Sequence, residues 1–284
     1  MRKLDGGLST ALEERGLNLS SSLWTGELLV SAPNEIMQAH RAFVDAGAEI
    51  IITSAYQLSY SGCATRGWSQ SQTSDALTLS TQLAREATTG TTTKVAASVG
   101  PYGASLADGS EYRGNNGVSK GALREFHKGR LETLIASAPD YLALETMPDI
   151  EEVEILIELI EKSETTIPFW VSYSCQDGSL TNAGQSFQQA VDAVQSANGV
   201  IAVGANCTAP RLITDLLKSA ISSLPYIVYP NAGRTWDAQA KQWSGGADKT
   251  LTPEVISEWA SLGAQIIGGC CGISPKEIGE MKLP

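Results

Sequence analysis

Tyr141-Leu-Ala-Leu-Glu145, followed by Pro148-Asp149-Ile-Glu-Glu-Val153-Glu-Ile-Leu-Ile157-Glu-Leu-Ile160, decides the fold. The first stretch is apolar on both faces, as expected of a strand covered on both sides. The second sets Ile150, Val153, Ile157 and Ile160 on one face at helical spacing. Its acidic first turn suits the positive end of a helix dipole. Strand leads to helix, and the unit recurs along the chain. Strand-like runs occur near Leu4, over Glu49-Ile-Ile-Ile-Thr-Ser54 and Lys94-Val-Ala-Ala-Ser-Val-Gly100, and over Phe169-Trp-Val-Ser-Tyr-Ser174. Others end at Cys207, cover Tyr226-Ile-Val-Tyr229, and end at Cys270. Pro33-Asn34 opens a helix that carries Ile36, His40, Phe43 and Val44 and stops near Gly47. Further helices are predicted around 73–89, 119–137, 184–197, 209–221, 252–262 and 274–281. Eight strand–helix pairs in 284 residues predict an α/β protein, a single-domain (β/α)8 TIM barrel. An open doubly wound sheet is the alternative, but no Gly-rich dinucleotide turn follows the first strand.

Residues 8–32 and 101–118 interrupt the alternation. Both follow strand C-termini, where barrel enzymes build their sites, so both are expected to wall a pocket. Trp24, Tyr56, Tyr102, Tyr112 and Trp236 fall in such mouth loops.

Composition narrows the function. The formal net charge is −11, which argues against nucleic acid and anionic membranes as partners. No stretch approaches the roughly 20 apolar residues of a membrane span, and Met1-Arg2-Lys3-Leu4 lacks an apolar signal core. Five cysteines, an odd number, do not suggest a disulfide framework. A cytoplasmic protein is expected.

Ala264-Gln-Ile-Ile267-Gly-Gly-Cys270-Cys271-Gly272 carries the chemistry. Successive strand residues point to opposite faces, so two adjacent sulfurs converge only where the strand breaks, and the glycines permit that. Cys207 closes another strand. Three thiols at strand ends predict a zinc site on Cys207, Cys270 and Cys271 with its fourth position open, as in catalytic sites. Three thiolates make zinc a weak activator of water but a good holder of an incoming thiolate, which points to sulfur alkylation rather than hydrolysis. Cys63 and Cys175 read as core residues. His40 and His127 fall inside predicted helices and read as structural, which leaves no Ser-His-Asp triad.

Asp5 and Glu145 end the first and fourth strands. They could be caps or a hydrolase's acid–base pair, but recognition of a substrate ammonium is preferred. Gly6 and Gly7 would let backbone N–H groups approach a carboxylate. Mouth aromatics could hold a sulfonium by cation–π contact.

At these residues the chain resembles the homocysteine S-methyltransferases. Gly204-Ala-Asn206-Cys207 and Gly268-Gly-Cys270-Cys271 look like that family's zinc signature. Leu23-Trp24, Gly100-Pro-Tyr-Gly103, Asp108-Gly-Ser-Glu-Tyr-Arg113 and Val228-Tyr-Pro-Asn-Ala-Gly233 are most similar to the branch using S-methylmethionine or S-adenosylmethionine. The resemblance implies a homocysteine-binding barrel over 1–284 that makes methionine, with zinc on the three cysteines. It implies acceptor contacts at Asp5, Gly6, Gly7, Glu145 and Asn206, and a donor site at Trp24, Tyr56, Tyr102, Glu111, Arg113 and Asn231. A non-catalytic zinc- or thiol-binding protein, and a selenocysteine or selenohomocysteine methyltransferase, are the alternatives. Donor preference and oligomeric state stay open.

Overall fold

A computed structural model describes residues 1–233 and 251–284, with only the backbone of 235–237 and 242–244 between them. The strands are β1 (Arg2–Lys3), β2 (Ile50–Ile52), β3 (Lys94–Val99), β4 (Tyr141–Met147), β5 (Phe169–Tyr173), β6 (Val200–Asn206) and β7 (Tyr226–Tyr229). A hairpin of β8 (Thr235–Asp237) and β9 (Gln242–Ser244) follows, then β10 (Ala264–Ile267). Eight strands pair in parallel in the order β1-β10-β7-β6-β5-β4-β3-β2. A parallel bridge between Leu4 and Ile50 joins the two ends, and the sheet becomes the expected (β/α)8 barrel.

Strand alternation sorts the core into two layers. Leu142, Leu144, Val171, Val203 and Val228 face the surrounding helices. Ala143, Ala96 and Ala202 face the barrel axis, where their small side chains leave room for Trp170 and Tyr229. Trp170 Nε1 donates to the Tyr229 hydroxyl at 3.1 Å, so these two large residues fill the axis without an orphaned indole N–H. Burial of each large apolar side chain here contributes about 1.5–3 kcal/mol.

Helix starts follow capping chemistry. The helix expected at 73–89 begins earlier, as Gln70–Ala87, because Ser69 and Gln72 form a reciprocal capping box. The expected 184–197 helix is α-helical only over Phe187–Asp192, and turns complete the segment. The 8–32 interruption folds into the helices Leu8–Glu14 and Thr25–Ser31, and 101–118 contains Tyr102–Ser105 and a 3₁₀ turn at Ser110–Tyr112. No helix among the described residues is long and apolar enough to cross a membrane.

Candidate metal and substrate centre

The C-terminal ends of the strands are stitched together by backbone. Gly269 N–H donates to the Asp5 carbonyl at 2.9 Å, Cys270 N–H to Pro230 O at 2.8 Å, and Cys207 N–H to Tyr229 O at 3.2 Å. A Cβ on Gly268 would lie 2.6 Å from Asp5 O, and one on Gly7 2.7 Å from Cys270 O. Only glycine lets the first-strand turn and the cysteine turn press together this closely. One cavity opens over this junction. Its lining includes Asp5, Glu145, Glu111, Cys207, Cys270 and Cys271, and no described lining residue is Lys, Arg or His.

The three sulfurs lie within 4.8 Å of one another, the only such group of potential metal ligands among the described residues. Cys271 Sγ is 3.6 Å from Cys207 Sγ and 4.0 Å from Cys270 Sγ. A tetrahedral ion with metal–sulfur bonds of about 2.3 Å sets its sulfurs about 3.8 Å apart, so two edges already fit. Cys207 and Cys270 are joined as a disulfide, with Cα atoms 5.4 Å apart. Composition argued against a disulfide framework, yet one bridge forms because the fold brings these two sulfurs into bonding reach. Reduction would free the third edge, and the donor set then fits a thiophilic ion. Burial, with the charges of Glu13 and Glu145, pushes the Cys271 thiol up to about 12. A thiolate there requires a cation beside it. Cys207 adopts φ 46°, and Asn231 Nδ2 steadies that turn by donating to Cys207 O at 3.0 Å.

Two buried carboxyl groups face the cavity. Asp5 Oδ2 accepts from Ile52 N–H at 2.8 Å. Burial raises its pKa well above the usual range, and the Glu145 charge adds to the rise. Glu145 accepts from the Ser98 hydroxyl and from Tyr229, yet burial still raises it to about 7. Neither group has a cationic partner in the described lining, so a bound cation would stabilise both as carboxylates.

A family model described as homocysteine S-methyltransferase matches residues 3–283. The chain belongs to this family. It is 36% identical over 297 residues to homocysteine S-methyltransferase 1 of Brassica oleracea var. italica, covering 97% of this chain and 90% of that one. Among solved structures it is similar to the Escherichia coli homocysteine methyltransferase MmuM in its metallated form, with TM-score 0.86, 35% identity, and coverage of 98% and 94%. The oxidised form of MmuM matches with the same figures. As a member of the homocysteine S-methyltransferase family, the chain is a methyltransferase.

Not every residue expected at this methyltransferase's site reaches the cavity. Trp24, Tyr56, Glu111, Gly6 and Gly7 line it. Trp24 has φ 50°, and its ring meets Tyr56 edge-on with centroids 6.2 Å apart. Tyr102 instead packs edge-on against Phe126 at 5.0 Å. Arg113 turns outward to Asp108 at 3.2 Å and to Ser110 Oγ at 2.7 Å. Asn231 braces the Cys207 turn, and Asn206 is wholly buried against Thr146. Trp236 lies among residues whose side chains are not described. Cys63 and Cys175 are buried free thiols outside the lining. His40 is buried, and His127 pairs with Glu152 at 2.7 Å inside the helix layer. Sequence reasoning gave no role to Ser54, Thr146 or Tyr229 in the lining, and took Tyr112 only as a mouth aromatic. Thr146 and Tyr112 directly follow Glu145 and Glu111, and that adjacency was the available signal.

Proposed function

We propose that this enzyme transfers a methyl group from a sulfonium donor, S-methylmethionine or S-adenosylmethionine, to homocysteine, giving methionine. The observation that carries the proposal is the convergence of three cysteine sulfurs on a cavity lined by carboxyl groups and, among its described residues, by no cationic side chain. Zinc is the proposed metal, since all-sulfur donor sets favour it over magnesium or calcium. Cys207, Cys270 and Cys271 would hold it, and its charge would keep the acceptor sulfur deprotonated at neutral pH.

The chain's own groups do the rest. Asp5 and Glu145 receive the acceptor's ammonium, which gives the two buried carboxyls the cation they lack. The Gly6–Gly7 turn faces the acceptor's carboxylate. Gly7 N–H already donates to Ile273 O at 2.9 Å, so Gly6 supplies this pair's contact. Trp24 and Tyr56 offer ring faces to the sulfonium. Displacement then breaks the donor's carbon–sulfur bond as the new one forms, and a neutral thioether leaves. No side chain needs to take a proton in that step, so alignment of nucleophile and donor supplies much of the acceleration.

Initial rates of methionine formation with S-methylmethionine, S-adenosylmethionine and betaine, each with and without a chelator, test this. Turnover with a sulfonium that chelation abolishes and zinc restores is expected. Sulfonium turnover that survives complete removal of metal would refute the metal assignment. Absence of methionine with every donor would refute the reaction.

A further inference from the structure

Glu111 holds an unanswered hydrogen-bond acceptor. Its Oε2 is buried and has no partner. Asp108 accepts from Ser110 N–H at 3.0 Å and from Arg113 at 3.2 Å, so the nearest guanidinium is engaged with Asp108 rather than with Glu111. The Glu111 carbonyl accepts from Ser174 Oγ at 3.0 Å. Gly103 packs so tightly beneath this turn that a Cβ there would lie 2.7 Å from Glu111 N. The backbone of the turn is therefore held in place, and Glu111 lines the cavity together with Trp24, Tyr56 and Tyr112.

A buried orphan acceptor calls for an N–H or O–H donor. A sulfonium centre has neither, and the aromatic faces already suit it. An ammonium has three N–H groups. Asp5 and Glu145 form a separate acidic pair assigned to the acceptor, so Glu111 is left for the other substrate.

We propose that Glu111 selects the methyl donor by accepting a hydrogen bond from its α-ammonium, which restricts efficient donors to amino-acid sulfoniums. This rests on the methyl-transfer reading above. Betaine and simple dimethylsulfonium compounds lack the N–H group that Glu111 requires.

The test compares S-methylmethionine with its deamino analogue, which keeps the sulfonium and loses only the amino group. Zinc-loaded wild type and Glu111→Gln are titrated calorimetrically with each compound and then assayed for turnover. Wild type should bind S-methylmethionine about tenfold to a hundredfold more tightly than the analogue. Glu111→Gln should lose most of that preference, bind the analogue as wild type does, and keep its KM for homocysteine. Equal losses on both compounds, or no loss on either, would overturn the assignment, as would wild type that binds them equally. Binding that follows the expected pattern without any methyl transfer would leave Glu111 as the ammonium site and remove the reaction.

Discussion

Asn206 grips Thr146 with both ends of its amide. Thr146 N–H donates to Asn206 Oδ1 at 2.6 Å, and Asn206 Nδ2 donates to Thr146 Oγ1 at 2.8 Å. The clasp joins the end of β4 to the end of β6. The chain neighbours of its two members are Glu145 and Cys207, so it spaces a carboxyl group against a sulfur. Thr146 and Cys207 both have left-handed backbone, φ 59° and 46°. Such strain costs on the order of 1–3 kcal/mol per residue and persists only where surrounding contacts enforce it.

Asn206→Ala should therefore destabilise the protein by about 1–2 kcal/mol, since it leaves the buried Thr146 N–H without a partner, while the Thr146 hydroxyl keeps its bond to Tyr56. It should also weaken metal binding, because the end of β6, one residue before Cys207, loses its tie to β4. Thr146→Val keeps the N–H end but takes the acceptor from Asn206 Nδ2 and the bond from Tyr56, and should cost about as much. Urea denaturation and metal titration measure both effects. Wild-type metal affinity in Asn206→Ala would show that the clasp has no part in shaping the sulfur cluster.

Cys270→Ser should abolish both metal content and turnover, because a hydroxyl is a poor substitute for thiolate toward a thiophilic ion. The variant also cannot form the Cys207–Cys270 bridge. Elemental analysis beside a methionine-formation assay decides it. Full metal occupancy with unchanged turnover would refute the ligand assignment.

What the sequence made legible was whatever strand geometry controls. The two-faced apolar runs gave the barrel, and strand ends placed Asp5, Glu145, Cys207 and Cys270 at one mouth. Loop side chains were another matter. Glu111 and Arg113 are two residues apart in one turn, yet one faces the cavity and the other solvent, with Arg113 drawn out by Asp108. No spacing rule carries that information. Asn206 was expected to touch the acceptor, but its amide turns to Thr146 instead, which depends on β4 and β6 ending level, a tertiary fact. The short helices in 8–32 escaped notice because seven residues hold too few turns to display a period.

The bridge between Cys207 and Cys270 uses two of the three sulfurs a metal would need. Denatured protein in this form should titrate three thiols, Cys63, Cys175 and Cys271. Reduction should reveal two more. Metal uptake should track that reduction, since thiolates and not disulfide sulfurs are the ligands. Thiol titration run in parallel with metal uptake checks this. Equal uptake before and after reduction would mean the ion binds elsewhere.

Glu145 should make the ligand-free protein less stable as pH rises. Its carboxyl is raised by burial from an ordinary 4.5 to about 7. The fold thus favours the protonated form. That contribution is fully present below about 4.5 and is lost as pH climbs to about 7, beyond which a buried carboxylate must be tolerated. Glu145→Gln removes the titration while retaining a similar shape. At pH 8, in the absence of metal and substrate, the variant should be more stable than wild type by on the order of 2–3 kcal/mol. The advantage should shrink to near zero by about pH 4.5. Homocysteine affinity should fall in the same variant, because the ammonium loses one of its two carboxylates. Urea denaturation at both pH values, with homocysteine titration of the zinc-loaded protein, tests the pair of effects. A stability difference that does not change with pH would show that Glu145 is not held protonated by its surroundings, and the argument that it awaits a cation would fail with it.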